Sequence, residues 1–184
     1  MTLTDIDLKV IHLTTDAIGQ PGKRIFYLQG RSNEQTLTLL VEKLQIQTLA
    51  IGVEQFLTEI ATKFPDLKPA SVDYVEEKMR LYPPLDPLFR VGELGLGYDS
   101  ENDTVVLVAS EQMEDEQSSE ETTQEGNELE ERRVVRFWCT RSQIRAMAHW
   151  GLELSGRGRP ICPQCGEPME PEGHFCPKKN GHKH

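Results

Sequence analysis

No window of this 184-residue chain is apolar over the ~18 residues that a bilayer-spanning helix requires, so no membrane span is expected. The first residues, MTLTDIDLKVIHLTTDAIG, lack a basic stretch followed by an apolar run, so no secretory signal is expected either. Positive charge is not in excess. With a formal net charge of −10, the chain has no basic footprint of the kind a DNA-coating protein carries. There is no Walker sequence, no nucleophile elbow and no HExxH. Cysteine is scarce, and three of the four residues fall within positions 162–176, beside histidines. That spacing reads as a metal site in a reducing cytoplasm rather than a disulfide framework. The apolar share of 37% is slightly low for a globular domain, which implies that one segment does not fold.

That segment is easy to locate. Residues 111–131 hold ten acidic residues and no basic one; without them, twenty acids face twenty Lys and Arg. The acidity belongs to this insert, which is expected to be a solvated, disordered loop and a spacer.

On either side of the insert the hydrophobic pattern is regular. Runs of strand character are Asp7–Thr14, Arg24–Gln29 and Gln35–Val41, separated by the turn signals Gly19-Gln-Pro-Gly22 and Gly30-Arg-Ser-Asn33. Turns this short imply antiparallel hairpins. The period then changes: Ile46, Leu49, Ala50, Val53, Phe56, Leu57, Ile60 and Phe64 form one stripe on a helix over about 42–64, and Pro65 stops it. Residues 65–88 read as a Pro-rich connector with a short helix around Val72–Arg80. Strand character resumes at Arg90–Tyr98, Thr104–Ser110 and Arg133–Cys139, and a helix over roughly 141–154 buries Ile144, Met147, Ala148 and Gly151.

Each half is therefore three strands followed by a helix, and the strand-to-helix joints match at an offset of 98, Gln45-Ile46 with Gln143-Ile144. The expected architecture is α+β, two βββα-like halves of antiparallel strands covered by helices, with a zinc-knuckle or ribbon-like tail. In domain terms, 1–64 is the first half, 65–88 the connector, 89–156 the second half with its acidic loop, and 157–184 the tail.

The tail reads ICPQCGEPMEPEGHFCPKKNGHKH. Cys162-Pro-Gln-Cys165-Gly is a knuckle, in which two thiolates three residues apart fold round one ion and the Gly permits the turn. Zn2+ takes four ligands in tetrahedral array, and a closed Cys/His set marks a structural site. Cys176 supplies the third thiolate, and either His174 or His182 the fourth ligand. In a standard ribbon a cysteine would stand at position 179, where this chain has Lys179. Cys139, beside Trp138 and distant from the knuckle in sequence, is expected to be a core residue.

Four stretches, GQPGKRIFYLQ (19–29), LVEKLQIQTLA (40–50), FRVGELGLGYD (89–99) and GRPICPQCGEPMEPEGHFCP (158–177), together resemble the bacterial domain of unknown function 3090 family. The resemblance runs from about Lys9 to the end of the chain. It implies histidine at the position of His174 and commonly an aromatic residue at that of His182, and so makes His174 the fourth ligand. It imports no activity.

Gly92, Gly95 and Gly97 are wrongly spaced for a dinucleotide fingerprint and read as strand glycines marking a bulge or a close approach. His12 and His149 have no carboxylate partner legible in the sequence and read as structural. Arg157, Arg159, Lys178, Lys179 and Lys183 leave the tail a small positive excess over Glu167, Glu170 and Glu172. The functional expectation is a cytoplasmic, non-catalytic module that binds protein, with RNA or a nucleotide as further candidates. The alternative is an enzyme or enzyme subunit that takes a phosphorylated or nucleotide ligand between the halves, using Arg24, Arg90 or His12.

Overall fold

The structure, a computed structural model, describes residues 5–113, 132–169, 174 and 176–179. Strands β1 (Asp5–Lys9), β2 (His12–Ile18), β3 (Ile25–Arg31) and β4 (Thr36–Val41) lead into helix α1 (Lys43–Lys63). Strands β5 (Pro87–Asp99), β6 (Thr104–Glu111) and β7 (Val134–Cys139) lead into helix α2 (Arg141–Gly156). The connector between the two sets carries a single 3-10 turn, Glu76–Met79.

All seven strands belong to one mixed sheet, in the order β1-β7-β6-β5-β4-β3-β2. Hairpin neighbours are antiparallel, as the short turns imply. The pairs β4–β5 and β1–β7 are parallel, which short-turn reasoning has no means of seeing, because their partners are distant in sequence. The run Asp7–Thr14, expected as one strand, is divided at Val10-Ile11. The Val10 N–H donates to the Trp138 carbonyl (2.9 Å) and the Ile11 N–H to the Arg31 carbonyl (2.8 Å). At that point the chain exchanges one partner strand, β7, for another, β3. The two outer strands of the sheet are therefore consecutive in the chain, and the sheet curls until its margins share one stretch of backbone.

Alternation fills the interior. Val105, Leu107 and Ala109 on β6 and Val135, Phe137 and Cys139 on β7 point inward and are buried, while their neighbours are less so. Gln29 is polar and fully enclosed, and it is satisfied on both sides. Its Nε2 donates to Thr38 Oγ1 and to the Tyr82 carbonyl (both 2.9 Å), and its Oε1 accepts from the Tyr82 N–H (2.9 Å). Thr14 Oγ1 likewise donates to the Met79 carbonyl at 2.6 Å. These bonds fasten the Pro-rich connector across the sheet. The acidic insert starts later than its composition suggests, because Glu111 ends β6 and pairs with Arg133; residues 114–131, expected to be disordered, lie outside the described residues.

Both helices start in the same way. Gln45 Oε1 accepts from the Glu42 N–H (2.8 Å), and Gln143 Oε1 from the Thr140 N–H (2.8 Å). The amide nitrogens then reach strand backbone: Gln45 Nε2 donates to the Val91 carbonyl (3.0 Å), and Gln143 Nε2 to that of Ile11 (3.0 Å). Each glutamine thus aims its helix from the joint. The helices pack on each other, α2 also covering β2 and α1 touching β5. Between them Arg145 grips Glu54 in a two-pronged pair (2.8 and 3.0 Å) and holds its carboxyl below the usual range. Trp150 is fully enclosed, and its indole N–H donates to the Thr15 carbonyl at 2.7 Å. Trp150→Phe removes that bond and part of the ring volume. It should cost about 1–3 kcal/mol in urea denaturation, and unchanged stability would show that the indole bond contributes nothing.

Candidate metal centre

The segment after α2 makes little core of its own. Ile161 is 58% exposed, and Cys162 and Cys176 are the buried apolar residues among those described. Order comes from a small backbone clasp. Ile161 and Pro168 form an antiparallel bridge, the Cys162 N–H donates to the Glu167 carbonyl (2.8 Å), and the Gly166 N–H donates to the Cys162 carbonyl (2.9 Å). Gly166 takes φ +78°, a left-handed turn that a side chain would strain. The clasp brings Cys162 and Cys165 to one side, and backbone N–H groups of Cys165 and Gln164 draw the Cys162 thiol down to about 6.

Cys162, Cys165, His174 and Cys176 converge, with their ligand atoms all within 4.8 Å of one another. Cys162 Sγ lies 3.9 Å from Cys176 Sγ, and Cys165 Sγ lies 3.2 Å from His174 Nε2. Two thiolates bound to a tetrahedral ion at Zn–S of about 2.3 Å stand about 3.8 Å apart, so the sulfur pair already has the edge length of such a site. The sulfur–nitrogen pair is slightly tighter than the corresponding edge, about 3.5 Å. As thiolates, three cysteines turned toward one point beside an imidazole nitrogen would repel one another, and a bound cation removes that conflict. His174 Nδ1 is enclosed and has no hydrogen-bond partner among the described residues. The donor set can hold a metal ion. His182, the other fourth-ligand candidate, lies outside the described residues.

The remaining sequence candidates fall elsewhere. Cys139 is in the core with its thiol facing the Val105 carbonyl (3.6 Å), and burial pushes that thiol up to about 12. His12 packs edge-on against Tyr82, and burial lowers its pKa, so it is neutral at pH 7. His149 stands 3.7 Å from Glu54 on the helix pair. Gly92 occupies the register shift between Val91 and Glu93, which is the bulge its sequence context suggested. Arg24 and Arg90, by contrast, line a common cavity beside the tail. Lys43 and Arg159 line it with them, and the role of Lys43 carried no signal in the sequence beyond its place at a helix start.

These features define a class: an α+β protein with one curled mixed sheet, a helix pair, and a C-terminal Cys3His cluster able to take a metal. The chain belongs to the family described as protein of unknown function (DUF3090), whose model matches residues 8–176. No curated protein and no solved structure matches it. Among the described residues no helix is long and apolar enough to cross a membrane.

Proposed function

We propose that this chain is a non-catalytic binding module of the reducing cytoplasm, whose tail is shaped by one structural Zn2+ on Cys162, Cys165, His174 and Cys176, and whose partner is a protein. The convergence of four Cys/His donors into a closed set carries the reading. A closed set leaves no coordination position for a reacting water, which favours a structural ion over a catalytic one. A protein partner is supported by the open groove between α1 and β5, about 670 Å3, lined by Leu44, Leu49, Val91, Leu94 and Leu96, with Leu44 71% exposed.

Elemental analysis of the purified protein tests the metal. One zinc per chain is expected, lost in His174→Ala and retained in His182→Ala; the opposite pair of results would transfer the fourth ligand to His182. Fluorescence anisotropy with single-stranded RNA tests the partner class. Tight binding at physiological salt would replace the protein reading with an RNA one.

The same reading includes the domain plan: 1–64 and 89–156 as two copies of one unit, joined by 65–88, with 157–184 appended. The paired glutamines, Gln45 and Gln143, starting α1 and α2 at an offset of 98, support it. Superposing β4–α1 on β7–α2 at that offset checks it, and a mismatch of the two glutamines removes it. The enzyme alternative draws support from one observation, that Arg24 and Arg90 share a cavity; His12 does not line that cavity.

A further inference from the structure

Beside the metal cluster, the starts of β3 and α1, the end of β4, Arg90 of β5 and the tail line a cavity of about 530 Å3. Its charge is one-sided. Among the described residues Arg24, Lys43, Arg90 and Arg159 line it against one carboxylate, Glu42. Outside the acidic insert the chain is formally neutral, so four cations here are a local concentration of positive charge.

The cations are directed rather than scattered. Arg24 is fixed in place, with Nη1 donating to the Leu154 carbonyl at 3.1 Å and its guanidinium 5.1 Å from the centre of the Phe26 ring. A methyl group on Gly158 would lie 3.4 Å from Arg24 Nη2 and 3.5 Å from Lys43 Nζ, so these two cations close on one point from different elements. The Arg159 side chain crosses Gly22, whose own methyl would lie 3.2 Å from its Nε. Arg90 pairs with Glu42 at the rim. Where Arg24 and Lys43 meet, the Ser155 carbonyl oxygen, 3.6 Å from the same Gly158 methyl position, offers them partial negative charge, and a bound anion would complete the neutralisation. The start of α1, at Lys43, adds the positive end of its dipole.

The rest of the lining is apolar: Phe26, Leu40, Val41 and Pro168, with Ile25 and Ile161 at 52% and 58% exposure. Two isoleucines left this open beside a cationic floor suit a ligand with an anionic end and an apolar or planar body. Among the described residues no histidine, cysteine, serine or aspartate lines the cavity, and its cations suit the holding of an anion.

We propose that this cavity is a binding site for a phosphorylated small molecule of the nucleotide class, its phosphates on Arg24, Lys43, Arg90 and Arg159 and its planar part on Ile25 and Ile161. Three of the four cations belong to the body, so the site does not depend on the metal. Arg159, Ile161 and Pro168 belong to the clasp around the Cys162–Cys165 knuckle, so an ordered tail completes one wall.

Isothermal titration of the full chain with ADP, pyrophosphate and adenosine at low salt tests the proposal. ADP should bind tightest, pyrophosphate more weakly, adenosine not measurably, and added salt should weaken ADP. Lys43→Gln and Arg90→Gln should each weaken ADP about tenfold, the loss expected of one charge-assisted contact, with zinc content and melting temperature unchanged. Glu42→Gln should tighten it, a gain that misfolding does not produce. Cys162→Ser should lose zinc and weaken ADP without abolishing it, which separates failure of the metal reading from failure of this one. Absence of ADP binding by the wild type at millimolar concentration overturns the proposal, as does adenosine binding as well as ADP, or wild-type affinity in the doubly substituted Lys43→Gln, Arg90→Gln chain.

Discussion

Stripping the proposed Zn2+ from the folded protein should release the tail while leaving the sheet and both helices standing. The reason is where apolar burial lies. The continuous core runs from Leu8 to Leu154 and includes no described residue of the tail. Among the tail's described residues the enclosed apolar groups are Cys162 and Cys176, and the backbone clasp amounts to a few bonds of about 1 kcal/mol each, which does not offset the ordering of so many residues. A structural zinc in a small peptide supplies on the order of 10 kcal/mol at neutral pH, the one term large enough to close that gap. After chelation with phenanthroline, limited proteolysis should cut within 157–169, where the intact protein resists. Far-UV circular dichroism from α1 and α2 should scarcely change, and the main thermal transition should stay in place. Cys162→Ser should behave as the chelated protein does. A tail that keeps its protease resistance without metal would defeat the argument, because nothing else among the described residues is large enough to hold it.

Much of the body can be read from the chain because its signals are local. The stripe of α1 buries Ile46, Leu49, Ala50, Val53 and Ile60, and the capping glutamines mark both helix starts. On α2 more is buried than the apolar stripe implies. Trp150, Leu154 and Ser155 are buried as well, because that helix is covered by α1 on one side and β2 on another. The knuckle spacing located three thiolates, and the family resemblance chose His174, which the structure brings to them. What escapes the sequence is non-local. The break at Val10-Ile11 lies inside one apolar run in which Leu8, Val10 and Leu13 are all buried, so nothing local marks the exchange of β7 for β3. The parallel joints depend on partners about 50 residues apart for β4–β5 and about 130 for β1–β7. The cationic cavity is hidden for the same reason. Arg24, Lys43, Arg90 and Arg159 come from a strand start, a helix start, a bulged strand and the tail, and none of them is near another in sequence.

The closing of the sheet yields the second large expectation, Gly30→Ala. Gly30 lies on β3 and Phe137 on β7, strands that stand on opposite flanks of the β1–β2 stretch. A methyl group at Gly30 would lie 2.4 Å from both Cδ1 and Cε1 of Phe137 and 3.0 Å from Val10 Cγ1. Phe137 is fully enclosed, so the ring has no vacant space to enter and a strand must shift. Overpacking of this kind costs about 1–3 kcal/mol, and at 2.4 Å from a rigid ring the upper end is expected. The ordinary preference for alanine over glycine in a strand, under ~1 kcal/mol, does not compensate. Phe137→Ala should cost about 3–5 kcal/mol by leaving a cavity in the same seam. The decisive measurement is a double-mutant cycle in urea. Phe137→Leu shortens the side chain, so Gly30→Ala should be less costly in its presence, with a coupling of about 1–2 kcal/mol. Additive costs would mean that β3 and β7 do not meet there. A Gly30→Ala protein as stable as the wild type would mean that the sheet does not close on Phe137.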